Sequence, residues 1–254
     1  MRPFPLRTGL AEVLRIEPLA PRMARFVLGG DVVAGFPVEE PGEIVTLLWP
    51  APGEELVLPE PGWRFPPGVA DAQHARNYSV RACDGDELSI DFVLHGDHGR
   101  ASRWASAARP GDRVGIAGPR VHWAGEPHGD WTLLVADETG LPALAAIAET
   151  LPASQPAVAL VEVEDARAQQ PLACRADLEL RWLHRGGAAP GTTTLLADAV
   201  RELELPPGRG RAWGGGEALA MRDVRRHLRG ERALPAADVD VLGYWKHRNT
   251  ASWD

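Results

Sequence analysis

Cysteine is scarce in this chain: Cys83 and Cys174 are the only two in 254 residues. Two cysteines cannot build a disulfide framework. Without a CxxC pair there is also no ligand set for a cysteine-held zinc or iron–sulfur centre. Long apolar runs are missing as well. None approaches the roughly 18 residues that cross a bilayer, so no membrane span is expected. The opening stretch MRPFPLRTGLAEVLRIEP has no continuous apolar segment. No secretory signal is therefore expected, and the cytoplasm is the default compartment. Positive charge is in deficit, with a formal net charge of -8. Binding nucleic acid needs a basic footprint, so no nucleic-acid partner is expected and room is left only for a local basic pocket. Internal repeats and low-complexity tracts are absent too.

What is present is an ordinary globular composition, 44% hydrophobic and 24% charged, in a length that suits one large or two small domains. The texture changes part-way along. Short runs rich in β-branched and apolar residues recur early, at Glu12–Ile16, Met23–Leu28, Ile44–Leu48, Arg76–Arg81, Leu88–Leu94 and Arg113–Ala117. This spacing predicts an N-terminal antiparallel β-barrel or sandwich. The Pro- and Gly-rich stretch from Pro50 to Gly68 reads as a long surface loop. Later the period changes. Strands are expected at Leu133–Ala136, Ala157–Val163, Leu178–Leu183, Arg211–Trp213 and Val239–Leu242. A helix should start near Leu141, with Thr139 as cap and Pro142 in its first turn. In a second helix Met221, Val224 and Leu228 share a face and Gly230 is the expected C-cap. Alternating strands and helices predict a doubly wound α/β domain. The boundary falls in the Gly/Pro-rich segment Gly118–Asp130, giving expected domains 1–122 and 123–254.

Candidate chemistry concentrates in two segments. In Arg76-Asn77-Tyr78-Ser79-Val80-Arg81, strand alternation puts Arg76, Tyr78 and Val80 on one face and Asn77, Ser79 and Arg81 on the other. An isoalloxazine needs a flat apolar partner, which Tyr78 supplies by stacking. Ser79 can offer flavin N5 a hydroxyl or a backbone N–H. Arg76 can hold a diphosphate in bidentate fashion. The bland alternative is a barrel strand with surface arginines. The second segment runs from Asp91 to Ala105 as strand, glycine-rich turn and helix. Helix N–H groups near Ala101 would face an anion, and Gly96 and Gly99 permit close backbone approach. His95 is a candidate contact to adenosine or phosphate, or simply a strand-end residue. His95 and His98 lack the carboxylates of a metal site, so no metal is expected.

Together these segments, RNYSVR and DFVLHGDHGRASRWASAARPGDRVGIAGPR, resemble the siderophore-interacting protein family of FAD-dependent ferric-siderophore reductases. The resemblance continues through EVLRIEPLAPRMARFVLGG, VADETGLPALAAIAETLP, WGGGEALAMRDVRRHLRGER and VLGYWKH, and so spans nearly the whole chain. It implies FAD held without a covalent bond on the barrel. Arg76, Asn77, Tyr78 and Ser79 would contact the flavin and phosphates, with Tyr78 and Ser79 at the reacting ring. Asp91, Val93, His95, Gly99, Ala101 and Ser102 would line the rest of the groove. The α/β domain would present NADPH or NADH at Asp137, Glu138 and Thr139. Gly214, Gly215, Gly216 and Glu217 form an expected strand-to-helix turn, either a second donor contact or a plain helix cap. No GxGxxG follows a strand, so the standard dinucleotide fingerprint is missing.

Some positions depart from the family pattern. A lysine often stands near Thr46, in a segment like VKLLFP, within a basic group that attracts the anionic siderophore. This chain reads Val45-Thr46-Leu47-Leu48-Trp49-Pro50, a departure that bears on the acceptor more than on FAD. The GPA turn reads Gly99-Arg100-Ala101, the GPRG turn Gly118-Pro119-Arg120-Val121, and DETA reads DETG. Arg100, Lys246 and Arg248 are the candidate substrate contacts, with His247 beside them; the alternative for the last three is a solvated tail. Of nine tryptophans, most are read as packing, with Trp49, Trp63, Trp123 and Trp245 as candidate edges of an acceptor cleft. The expected reaction passes electrons from NAD(P)H, or from ferredoxin, through FAD to a ferric siderophore, in a monomer or weak dimer. The rival within the scaffold reduces free flavin, a quinone or a partner protein. The rival from another class is a colourless siderophore-binding protein.

Overall fold

The computed structural model describes residues 7–50, 53–60, 62–68, 74–95, 99–121 and 129–247. The chain divides into two compact units, Met1–Ala124 and Gly125–Asp254.

The first unit holds β1 (Arg7–Ala20), β2 (Met23–Gly29), β3 (Ile44–Trp49), β4 (His74–Ser79), β5 (Ala82–Asp84), β6 (Glu87–Val93), α1 (Arg100–Ala107) and β7 (Arg113–Arg120). They form one antiparallel sheet in the order β4-β3-β7-β1-β2-β6-β5. The expected barrel is present but its hydrogen-bonded ladder stays open. Past β4 the chain bends toward β6, where Arg81 N–H donates to Ser89 O at 2.9 Å. Nearby, the rings of Tyr78 and Phe92 lie 4.3 Å apart. Side chains and one bridging bond thus draw together the edges that the ladder leaves apart. The interior is filled by the inward residues of every strand, among them Phe26, Leu28, Leu47, Leu88, Ile90, Phe92 and Ile116. Each such large side chain contributes about 1.5–3 kcal/mol by leaving water. Trp104 of α1 packs at 5.5 Å on Phe26 and at 5.6 Å on Trp49, which seats the helix on the barrel. The short strand β5 has no counterpart in the sequence reading. Among the described residues the loop after β3 carries an isolated bridge between Glu60 and Arg64.

The second unit holds β8 (Trp131–Ala136), α2 (Leu141–Thr150), β9 (Pro156–Val163), β10 (Asp177–His184), α3 (Leu195–Glu202), β11 (Gly210–Glu217), α4 (Ala218–Arg226) and β12 (Val239–Trp245). All pairs are parallel, in the order β10-β9-β8-β11-β12. The order reverses between β8 and β11, so this is a doubly wound sheet whose crevice lies at the carboxyl ends of those two strands. The helix at Leu195–Glu202 is absent from the sequence reading, although Leu196, Ala197 and Val200 form its buried face.

Three local expectations are corrected. Gly214, Gly215 and Gly216 lie inside β11 rather than in a turn, and only Glu217 marks the helix start. Gly230 does not cap α4, because the chain continues through a single π-type turn, His227–Glu231. Thr139 does not cap α2; Gly140 is the cap residue and makes no side-chain bond. Gly140 is required for space. A Cβ there would stand 2.0 Å from the carbonyl oxygen of Gly215. Backbone cannot give way by that much, so Gly140→Ala should destabilise the unit by roughly 1–3 kcal/mol or more. A lowered urea midpoint for its unfolding would show this.

Candidate functional site

Strand β4 pairs with β3 so that Leu47 faces Arg76, Val45 faces Tyr78 and Thr46 faces Asn77. The alternation expected from sequence is kept. Arg76 is exposed, and among the described residues its guanidinium bonds to the carbonyl of Ala75 at 2.8 Å. Tyr78 is half-buried against Phe92. Burial pushes its hydroxyl well above the usual tyrosine range, so it stays protonated. Ser79 is 7% exposed, and its hydroxyl oxygen is buried with no hydrogen-bond partner among the described residues. Leaving a buried hydroxyl unpaired costs about 1–3 kcal/mol, which calls for a group that completes it.

Helix α1 follows β6, whose Phe92 packs on Tyr78. Its N-cap, Gly99, has φ 95 and ψ 153, a conformation that suits glycine, and supplies no side-chain cap. The first turn carries no acidic residue, and nothing lies within 4 Å of where a Gly99 Cβ would be. A helix start without a side-chain cap is the kind of place where backbone N–H groups can meet an anion such as a diphosphate. Ala101 and Ser102 are buried, and the Ser102 hydroxyl accepts from His95 N–H at 3.2 Å, tying the end of the preceding loop to the helix. His95 is exposed and Val93 half-buried. Asp91 has another duty: both its oxygens are held by Arg25 of β2, at 2.7 and 2.9 Å. Arg100 donates to the carbonyl of Pro50 at 2.7 Å, which anchors the long loop. His98 and Gly96 lie outside the described residues.

Sequence reasoning missed the cation next to this strand. Arg120, the last residue of β7, donates through Nη2 to the Thr46 hydroxyl at 2.5 Å and to Asn77 Oδ1 at 2.7 Å. The Thr46 hydroxyl donates in turn to Asn77 Oδ1 at 2.8 Å. Thr46 is only 1% exposed. The position that the resemblance gives to a lysine is therefore an internal brace here, and the positive charge at this spot comes from β7. Partial burial lowers the Arg120 pKa from its ordinary value.

In the α/β unit the crevice between β8 and β11 is filled by carboxylates. Asp137, 5% exposed, accepts from Thr139 N–H at 2.8 Å and the Thr139 hydroxyl at 2.5 Å through Oδ1. Its Oδ2 accepts from Glu217 N–H at 2.9 Å and Trp245 Nε1 at 2.7 Å. Burial raises the Asp137 pKa, while the donors from Thr139 and Trp245 pull it down. Glu217 caps α4 with its own side chain, accepting from Leu219 and Ala220 N–H, and its other oxygen accepts from His247 N–H. Glu138 is paired bidentately with Arg185 at 2.6 and 2.7 Å. Gly215 is buried, and a Cβ on it would stand 3.0 Å from atoms of Trp213 and Tyr244. The N–H groups that cradle a dinucleotide diphosphate in doubly wound folds are thus already taken at this crevice. Thr139 remains half-buried and accessible; Lys246 is exposed, and Arg248 and Trp123 lie outside the described residues. Among the described residues no group of three or more His, Cys, Asp or Glu is placed to hold a metal ion. Among the same residues no helix is long and apolar enough to cross a membrane.

Comparison with known proteins agrees with this division. A profile described as "Siderophore-interacting FAD-binding domain" matches residues 12–123, and one described as "Siderophore-interacting protein" matches residues 129–248. The chain belongs to the siderophore-interacting protein family. It is 33% identical to the "NADPH-dependent ferric-chelate reductase" of Escherichia coli, over 94% of this chain and 93% of that protein. A crystal structure of a siderophore utilization protein from T. fusca superposes with TM-score 0.88 at 41% identity, covering 99% of this chain and 97% of the other. The siderophore-interacting protein SipS from Aeromonas hydrophila gives TM-score 0.80 at 29% identity, covering 96% and 93%. The sequence reading of an FAD-binding oxidoreductase of this family therefore stands. FAD fits the residues present: the Ser79 hydroxyl, without a partner among the described residues, the Tyr78 ring and the start of α1, which has no side-chain cap, suit its ring and diphosphate.

Proposed function

We propose that this protein is a reductase that moves electrons from a reduced nicotinamide to a ferric siderophore and releases Fe(II). The observation that carries this reading is the buried Ser79 hydroxyl, without a partner among the described residues and one residue from Tyr78. When bound, FAD takes electrons as a pair from a hydride donor and gives them up singly, which suits iron reduction. The chain's own residues do the rest. Tyr78 offers a ring face, Ser79 a hydrogen bond at the flavin edge, and Arg76 with the N–H groups of α1 holds the diphosphate. One NAD(P)H reduces two ferric ions and releases one proton, so the reaction balances without a metal centre in the protein. The name of the Escherichia coli relative supports NADPH as donor. Because Asp137 and Glu217 are committed internally, Thr139 is the donor contact that remains from the residues read in the sequence. The absence of lysine at position 46, which favoured a different acceptor, loses its force because Arg120 brings a cation to the same place.

Anaerobic incubation of the flavin-loaded protein with NADPH or NADH, a ferric siderophore and an Fe(II)-specific chelator tests this. The expected result is donor-dependent appearance of the Fe(II) chelate. Donor oxidation only when free flavin or a quinone replaces the siderophore would select the other acceptor class.

A further inference from the structure

Strand β10 is one edge of the parallel sheet, and among the described residues it pairs with β9 alone. An unpaired edge offers a row of N–H and C=O groups to any second strand, and proteins usually blunt it with proline, lysine or a bulge. The opposite edge is blunted in this way: β12 slips in register against β11 between Gly216 and Glu217. In β10 the residues Asp177–His184 include no proline and no lysine, and their register against β9 is unbroken. Leu178, Leu180 and Trp182 are half-buried on one face, and Asp177, Glu179 and Arg181 are exposed on the other. Charge on an edge normally repels a second strand. Here its sign changes along the strand, so the outcome depends on register.

Backbone bonds fix which groups point outward. Asp177 N–H donates to Gln155 O at 3.0 Å, and Arg185 N–H donates to Val163 O at 3.0 Å. The odd-numbered residues therefore turn toward β9, and Leu178, Leu180 and Trp182 turn their N–H and C=O to the open side. A second β10 running antiparallel bonds only where outward residues stand opposite outward residues. Centring the pair on Glu179 sets that carboxylate against its own copy, and centring it on Arg181 does the same to the guanidinium. Centring on Leu180 sets Leu180 against Leu180, Leu178 against the partner's Trp182, and Glu179 against the partner's Arg181 on both sides of the axis. Opposite charges and apolar pairs directly across stabilise a sheet, whereas like charges destabilise it. Within the chain Arg181 Nε already donates to Glu179 Oε1 at 2.6 Å, so both charges lie together on that face. We propose that β10 is a self-association surface, joining two copies of this chain by antiparallel β10–β10 pairing centred on Leu180. This surface stands apart from the reductase reading, since the crevice between β8 and β11 begins two strands in from the edge.

Sedimentation equilibrium of the flavin-loaded full chain at low salt, from about 1 to 300 μM, reads the assembly. The wild type should pass from monomer to dimer over this range. Glu179→Arg and Arg181→Glu each turn both cross-strand ion pairs into like-charge pairs, and each should weaken the dimer about tenfold or more. The double variant carries both exchanges, restores the pairs in reverse and should dimerise within about threefold of the wild type. Its recovery also shows that neither substitution disrupts the strand. A wild type that stays monomeric at the highest concentration would overturn the proposal. So would a dimer that the single exchanges leave intact, or one that the double exchange fails to restore.

Discussion

Asp137→Asn should remove about 3–5 kcal/mol of stability from the α/β unit, counting roughly 1.5–3 kcal/mol for each charge-assisted bond lost. Every neighbour of this carboxylate is a donor: Thr139 N–H and hydroxyl on one oxygen, Glu217 N–H and Trp245 Nε1 on the other. An asparagine keeps one acceptor and turns an NH2 toward the remaining donors. The ends of β8, β11 and β12 would lose the group that ties them together. Two units need not unfold together, so the measurement is hydrogen exchange on peptides from residues 129–247, where protection near those strand ends should fall sharply. Unchanged protection would mean that the buried carboxylate is not the tie it is taken to be. A pH signature accompanies it. Burial raises the pKa of Asp137 and of Glu162 above their ordinary values. The folded chain then holds these protons to higher pH than the unfolded chain does, so stability is greatest below about pH 4 from these groups and falls as pH rises through their raised values. The asparagine variant should show a shallower decline.

Arg76→Ala should raise the Kd for FAD roughly 10- to 100-fold, since a hydrogen bond to a charged group is worth about 1.5–3 kcal/mol. The folded barrel should be undisturbed, because Arg76 is exposed and, among the described residues, bonds to the carbonyl of Ala75. Arg76→Lys should recover only part of the loss, because an ammonium cannot reproduce a bidentate grip on a phosphate. Fluorescence titration of the apoprotein with FAD reads both variants. An unchanged affinity in Arg76→Ala would remove Arg76 from the diphosphate site.

The barrel strands, the strand of Tyr78 and Ser79 and the helix after Gly99 were legible because their signals are local. Period-two alternation placed Tyr78 and Ser79 on opposite faces, and the glycine at position 99 marked the start of α1. Where distant residues decide, the sequence was misleading. Gly214, Gly215 and Gly216 read as a turn because glycine breaks strands; they are strand residues kept small by crowding from Val241, Tyr244 and Asp137. Thr139 read as a helix cap, but the carboxylate two residues earlier captures its hydroxyl. The Thr46 departure read as a missing cation because its partner, Arg120, lies 74 positions along the chain. Only β-sheet pairing brings the two together. Helix α3 carries a weaker local signal, eight residues with Leu196, Ala197 and Val200 on its buried face.

The visible spectrum of the purified protein under anaerobic conditions tests the whole reading most directly, recorded before and after NADPH or NADH and again after a ferric siderophore. Flavin bands that bleach with the donor and return as Fe(II) accumulates are the expected result. A colourless protein that takes up no added FAD would contradict it.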